Sequence, residues 1–320
     1  MKKCIYIALA LLIVGLVMIT LSGKSPIKQD SPAALEKVVV AQAFEVFLYA
    51  PLYVAKDKGF FEKEGIDVEI VTAGGDDKAF AAVLSGDAMF AVGDPTFSAI
   101  SAERGKPGIV IAGLLRGVPF MGVTNDPELV VNEPGDLAGL KIATFPAPST
   151  AYTVQRQYLK NNHIEAEIIE TSFGTLLSAL DNGVIDIALE LEPNVSLATR
   201  NGKRVVYSLA KEYPDFAITG VTTLPSTLES QTDTVTSFEN ALLASLQFIR
   251  ENPTEAAKLM HARFPEVEED VAQAAIENMI AQNVFPPDTT ISKLGWEQAI
   301  AVRRSVGDLT IDAPYDNFVK

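Results

Sequence analysis

The chain has one cysteine in 320 residues, Cys4, and it falls in the apolar stretch that opens the sequence. Neither disulfides nor thiolate metal sites can therefore hold the remainder together, and its stability has to come from a hydrophobic core. Histidine is almost as scarce: His163 and His261 are the only two, and neither stands near a second metal ligand in the sequence. That leaves little for metal binding or for histidine-assisted nucleophilic hydrolysis. The chain contains no Gly-x-Ser-x-Gly elbow, no Walker phosphate loop and no Gly-x-Gly-x-x-Gly turn. Gly74-Gly75 alone reads as the start of a helix rather than as a phosphate cradle. No Lys/Arg cluster occurs, and the formal net charge is −15. A phosphate backbone needs a basic face, so nucleic acid is excluded as a partner. No catalytic residue, metal or cofactor is expected.

What is present begins with Met1-Lys2-Lys3 and the uncharged run Cys4 to Gly23, long enough for an export leader or a single membrane anchor. Thr20-Leu21-Ser22 is a poor cleavage site, and Lys24 stands where a lipid-bearing cysteine would follow Ser22-Gly23. A leader or retained anchor is expected over residues 1–23 and a polar linker over 24–36, which attaches the protein to a membrane and puts its body outside the cytoplasm.

Within that body one passage recurs. Glu64 to Ile100 returns as Asn162 to Ala198 at nearly constant spacing: Ile66 to Ile70 falls on Ile164 to Ile168, Gly86 on Gly183 and Pro95 on Pro193. Val92-Gly93-Asp94 and Glu190-Leu191-Glu192 then end equivalent strands, one in each of two similar lobes. Ligands of open parallel sheets bind at the strand carboxyl ends, so two facing lobes would form a cleft.

Val38 to Ala41 reads as a buried strand, Pro51 opens a helix, and strands and helices alternate from there to Leu115 and again from Leu140 to Leu209. Such alternation predicts an α/β architecture, each lobe a mainly parallel sheet flanked by helices. The chain is expected to leave the first lobe (37–122) for the second (123–221) near Gly122-Val123-Thr124 and to return near Gly220 to Thr223, giving a two-segment hinge. Residues 222–320 are helical, with Phe238, Leu242, Leu246 and Ile249 at helical spacing, and are expected to pack on the first lobe.

The loops at the predicted strand ends carry the candidate site. In the first lobe they offer Phe44, Phe47 and Tyr49, then Gly75-Asp76, Asp94, Arg116 and Phe120; in the second, Phe145, Ser149, Thr150 and Tyr152, then Glu190 and Glu192. A small-molecule cleft needs aromatic surface to sandwich the ligand and a few oriented polar groups to select it. Ser149-Thr150 also reads as a helix start whose free N–H groups could meet an anion. Glu190 and Glu192 alternate about Leu191, which in a strand would turn both carboxylates to one face. Arg116 is the only cation in these loops, so buried acids would oppose an anionic ligand.

Pro51 to Ala55, Lys58-Gly59-Phe60-Phe61, Glu64 to Val68, Leu84 to Ala88 and Glu192-Pro193 together resemble the ABC-transporter solute-binding proteins of the nitrate, sulfonate, taurine and thiamine-pyrimidine-precursor type. The likeness runs from about Val38 to at least Pro253. It implies a two-lobed periplasmic-binding-protein fold (type II) that closes on a small-molecule solute, as a monomer, and delivers it to an ABC permease and its ATPase. A pyrimidine-forming enzyme of thiamine synthesis has the same fold, but it uses a histidine, an iron site and a cysteine-rich segment, and this chain departs from that pattern. The excess of acids favours a neutral or cationic nitrogen heterocycle, stacked on Phe44, Phe47, Phe120 or Phe145 and hydrogen-bonded by Glu192, over a sulfonate.

Overall fold

Consecutive β-branched residues favour a pleated, buried strand, and Val38-Val39-Val40 lies in β1 (Glu36–Gln42) with Val38 and Val40 out of contact with water. The computed structural model describes residues 34–320. The expected leader or anchor, and nearly all of the linker, lie outside the described residues. No helix among the described residues is long and apolar enough to cross a membrane.

From β1 the chain alternates as its pattern predicts. Pro51 sits in the first turn of α1 (Ala50–Asp57), where a missing N–H leaves no bond unmade. After α2 (Phe60–Lys63) come β2 (Ile66–Thr72), α3 (Asp76–Ser85), β3 (Phe90–Gly93), α4 (Phe97–Ala102) and β4 (Ile109–Arg116). A second series then runs through β5 (Met121–Thr124), β6 (Lys141–Thr144), α5 (Thr150–Asn161), β7 (Glu167–Glu170), α6 (Leu176–Asp181), β8 (Ile187–Glu190), α7 (Asn194–Arg200) and β9 (Arg204–Ser208). The chain returns in β10 (Ala217–Thr223) and ends in α8 (Pro225–Ser230), α9 (Thr232–Glu251), α10 (Pro253–Arg263), α11 (Glu269–Ala281), α12 (Lys293–Val306) and α13 (Tyr315–Phe318).

The strands form two five-stranded sheets of the same design, β2-β1-β3-β10-β4 and β7-β6-β8-β5-β9. The repeat read from the sequence is therefore structural: β2-α3-β3-α4 occupies in one sheet the place of β7-α6-β8-α7 in the other. Gly86 and Gly183 play the same part in it, ending α3 and α6 at φ +85 and +65, where a side chain would be strained. Each sheet is mixed rather than purely parallel. β10 runs antiparallel between β3 and β4, and β5 antiparallel between β8 and β9. Each is the strand that follows a crossing, so it enters from the edge where the parallel strands finish and must run the other way.

The crossings lie earlier than expected, at residues 117–120 and 209–216. Gly122 and Gly220 are strand residues, small because neighbours press on them. A Cβ on Gly122 would overlap the Tyr207 ring, and one on Gly220 would lie 2.9 Å from the Ala112 carbonyl oxygen. The C-terminal helices pack on the first lobe and also reach the second. α9 and α10 pack on α1, and Phe238 stacks on Phe61 and Phe90 in the first lobe, with centroids 5.0 and 4.4 Å away. α11 and α12 reach the second lobe as well, α11 against α7 and α12 against α5. Arg200 of α7 is paired with Glu268 and Asp270 at 2.5 and 3.2 Å. Leu35–Lys320 consequently forms one compact unit around both sheets.

Candidate functional site

The parallel strands of the two sheets end facing one another, and a cavity of about 320 Å³ lies between them. The first lobe contributes Phe44, Val46, Leu48 and Tyr49 from the segment after β1, Asp76 from the start of α3 and Asp94 from the end of β3. The second contributes Phe145 and Pro146 after β6, Ser149, Thr150 and Ala151 at the start of α5, Ser172 and Phe173 after β7, and Leu191 after β8. Phe120, Ile218 and Thr219 come from the crossings and the strand beside them.

Its apolar wall is a chain of rings. Phe44 and Phe173 meet from opposite lobes with centroids 5.6 Å apart and planes 11° from parallel; Phe173 then touches Phe145 at 5.0 Å, and Phe145 touches Phe120 edge-on at 6.4 Å. Phe44 and Phe173 stack on each other, so a flat ligand lies along this wall or parts the pair. Both arrangements use the preference of aromatic faces for offset stacking.

The polar groups divide into occupied and free. Asp94 is buried and fully engaged. Its Oδ1 accepts from the Thr96 amide at 2.8 Å and the Thr96 hydroxyl at 2.6 Å, and its Oδ2 accepts from Arg303 Nη2 at 2.7 Å and from the Thr150 hydroxyl. Arg303, on α12, is itself buried, and its Nη1 donates to the Pro148 carbonyl at 2.6 Å, to Thr153 Oγ1 at 3.0 Å and to Asp308 at 3.0 Å. Burial alone would lower the guanidinium pKa; the adjoining Asp94 and Asp308 carboxylates outweigh it and raise it. One side chain thus ties the end of β3 to the start of α5 across the cleft.

Asp76 is different. One oxygen accepts the Asp94 amide at 2.8 Å, and the other has no partner among the described residues. The approach is close enough that a Cβ on Gly93 would overlap this carboxylate. Burial, and next the charge of Asp94, push the Asp76 carboxyl up to about 6, against the opposing effects of the Asp94 amide and Arg303. The Tyr49 hydroxyl meets the Phe44 backbone amide with its oxygen but donates to no acceptor among the described residues, on a residue only 4% exposed. Burial, followed by the charge of Asp76, raises its pKa well above the ordinary phenol value, which keeps it a neutral donor. In the second lobe Ser149 Oγ caps α5 by accepting the Tyr152 amide at 3.3 Å, which leaves the Thr150 and Ala151 amides without an intrahelical acceptor.

Of the residues proposed from sequence, Phe44, Tyr49, Asp94, Phe120, Phe145, Ser149 and Thr150 line this cavity, and Phe47, Gly75, Tyr152, Glu190 and Glu192 do not. Phe47 is in the core against Phe264 at 5.1 Å. Gly75 is the N-cap of α3, its amide donating to the Ala43 carbonyl at 2.9 Å. Tyr152 is half-buried in the first turn of α5. Glu190 is fully buried with one oxygen accepting from Asn194 at 3.1 Å and the other without a partner, and burial pushes its carboxyl up to about 7. Glu192 accepts the Ser196 amide and Asn278 Nδ2, both at 3.0 Å, so it caps α7 and ties that helix to α11. Arg116 lies at a separate cavity of about 230 Å³ and donates to the Asn283 carbonyl at 3.2 Å.

Sequence reading missed Phe173 and Arg303. The repeat held a signal for the first, because its register puts Phe173 on Gly75, a residue already chosen in the other lobe. Arg303 had none: it reaches the site from a helix about two hundred residues further on than Asp94, its partner. Among the described residues no group of three or more His, Cys, Asp and Glu side chains is placed to hold a metal ion.

Comparison with known proteins agrees with this architecture. The family model described as NMT1/THI5 like matches residues 47–256. YtlA of Bacillus subtilis (strain 168), to which a binding role is ascribed, is 27% identical over 298 residues, covering 89% of this chain and 88% of that protein. A formylaminopyrimidine-binding protein of Halalkalibacterium halodurans is 23% identical over 284 residues, 84% of each chain. Among solved structures, the ligand binding component of an ABC-type import system from Staphylococcus aureus superposes with a TM-score of 0.73 at 16% identity, over 89% of this chain and 96% of that one.

Proposed function

The chain belongs to the NMT1/THI5-like family, and from that membership and the cleft between its sheets we propose that it is the solute-binding component of an ABC importer. It captures a small molecule outside the cytoplasm, releases it chemically unchanged and hands it to a membrane permease. The observation that carries this reading is the cavity itself, which is lined from both lobes and closed at one side by Phe44 of one against Phe173 of the other. A ligand that touches both lobes binds the closed arrangement better than the open one and draws the population towards it. That is the property a receptor needs if a permease is to distinguish loaded from empty.

The solute we propose is planar and nitrogen-containing. The wall of four phenylalanine rings favours a flat molecule, and among the described residues the one charged group with an uncommitted oxygen at the cavity is a carboxylate, Asp76, which would repel an anion. The name of the formylaminopyrimidine-binding relative points the same way. Calorimetry of the purified protein against aminopyrimidines, flavins, nitrate, taurine and alkanesulfonates tests the reading. Saturable binding of one compound without turnover is the expected result, and chemical conversion of the bound compound would contradict it.

A further inference from the structure

We propose that Asp76 and Tyr49 form the recognition pair of the cleft, and that they select a heterocycle bearing an exocyclic N–H, which Asp76 accepts, beside an acceptor atom that meets the Tyr49 hydroxyl. The inference rests on the receptor reading above and adds to it which edge of the solute is read and by which atoms.

Elimination and geometry both lead to this pair. Two carboxylates line the cavity, and Asp94 has four donors on its two oxygens. Asp76 has one oxygen held by the Asp94 amide and one free. The held oxygen fixes the direction of the free one, and Gly93, by lacking a side chain, lets the carboxylate settle there. An ionised carboxylate can only accept, so its ligand atom must carry a proton. Tyr49 supplies the complementary group, a hydroxyl at the cavity wall whose oxygen meets the Phe44 backbone amide and whose proton has no acceptor among the described residues. Its proton is therefore free for an acceptor atom of the ligand. Both groups come from the first lobe, so the solute's polar edge would dock there first. The second lobe would then close Phe173 and Phe145 over its face.

The test is a ligand–mutant cycle on the purified protein. 4-Amino-2-methylpyrimidine and 4-dimethylamino-2-methylpyrimidine differ in whether the exocyclic nitrogen carries a proton. Calorimetry should find the dimethyl compound at least tenfold weaker with the parent protein. With Asp76→Asn the difference should shrink below threefold, because the charge that made the proton valuable is gone. Tyr49→Phe should weaken the amino compound severalfold while leaving the dimethylation penalty in place, and it serves on its own if the Asn variant does not fold. An equal dimethylation penalty in the parent and in Asp76→Asn overturns the assignment. Binding of methanesulfonate or nitrate but of neither pyrimidine overturns it while the receptor reading stands. Binding of nothing in the series removes both.

Discussion

Arg303 Nη2 donates to Asp94 Oδ2 at 2.7 Å, with the two side chains only 2% and 3% exposed, and the same guanidinium reaches the Pro148 carbonyl and Thr153 in the other lobe. Taking two charges out of water is costly and is offset only when every remaining donor is satisfied, as those of Arg303 are. Removing one partner leaves the other charge buried alone. Arg303→Met is therefore expected to lower stability by about 3–5 kcal/mol in urea unfolding. Its neighbour Arg304, paired with Asp312 where the side chains are 48% and 86% exposed, is the control. Arg304→Met should change stability by no more than about 1 kcal/mol.

Phe173 contributes little to folding and much to the cleft. It is 43% exposed yet stacks on Phe44 and touches Phe145. Phe173→Ala should leave the melting curve close to that of the parent and weaken the bound solute by about 0.5–1.5 kcal/mol, the usual worth of one aromatic contact. Calorimetry and thermal melting of the same preparation check both halves.

Much of this architecture was legible because it is written in periodicities. The spacing that sets Ile66 to Ile70 on Ile164 to Ile168 and Gly86 on Gly183 follows from the same order of strands and helices in the two sheets, although β2 and α3, at seven and ten residues, are longer than β7 and α6, at four and six. Strand ends could be located for the same reason, and with them Phe44, Asp94, Phe145 and Thr150. Glu190 and Glu192 misled because alternation holds only inside a strand. β8 ends at Glu190 and the chain turns at once into α7, so Leu191 faces the cavity while Glu190 is turned into the core and Glu192 caps the helix. Glycine misled at the crossings, where Gly122 and Gly220 report crowding by a neighbour rather than a bend. Arg303 was invisible because its role is created wholly by tertiary packing of α12.

Glu190 gives a pH-dependent prediction. Burial raises its folded-state pKa to about 7, against the weaker opposing effect of Asn194 and the Leu191 amide. A carboxyl whose pKa is raised on folding favours the folded state while it is protonated, and that contribution is lost as pH rises from the ordinary carboxyl range through about 7. Glu190→Gln keeps the shape and cannot ionise. Its advantage in stability over the parent should be small at pH 5 and grow to roughly 3 kcal/mol at pH 8. A constant difference across that range in urea titrations would show that the carboxyl stays ionised throughout.

A receptor built this way holds one small molecule between two lobes that close on it. Small-angle X-ray scattering of the purified protein, with and without a saturating amount of the compound that calorimetry finds to bind, tests this most directly. The radius of gyration is expected to fall on saturation, and that of Phe173→Ala, which loses the contact with Phe44 across the cleft, to fall less at the same occupancy. An unchanged radius at full occupancy of the parent protein would contradict it.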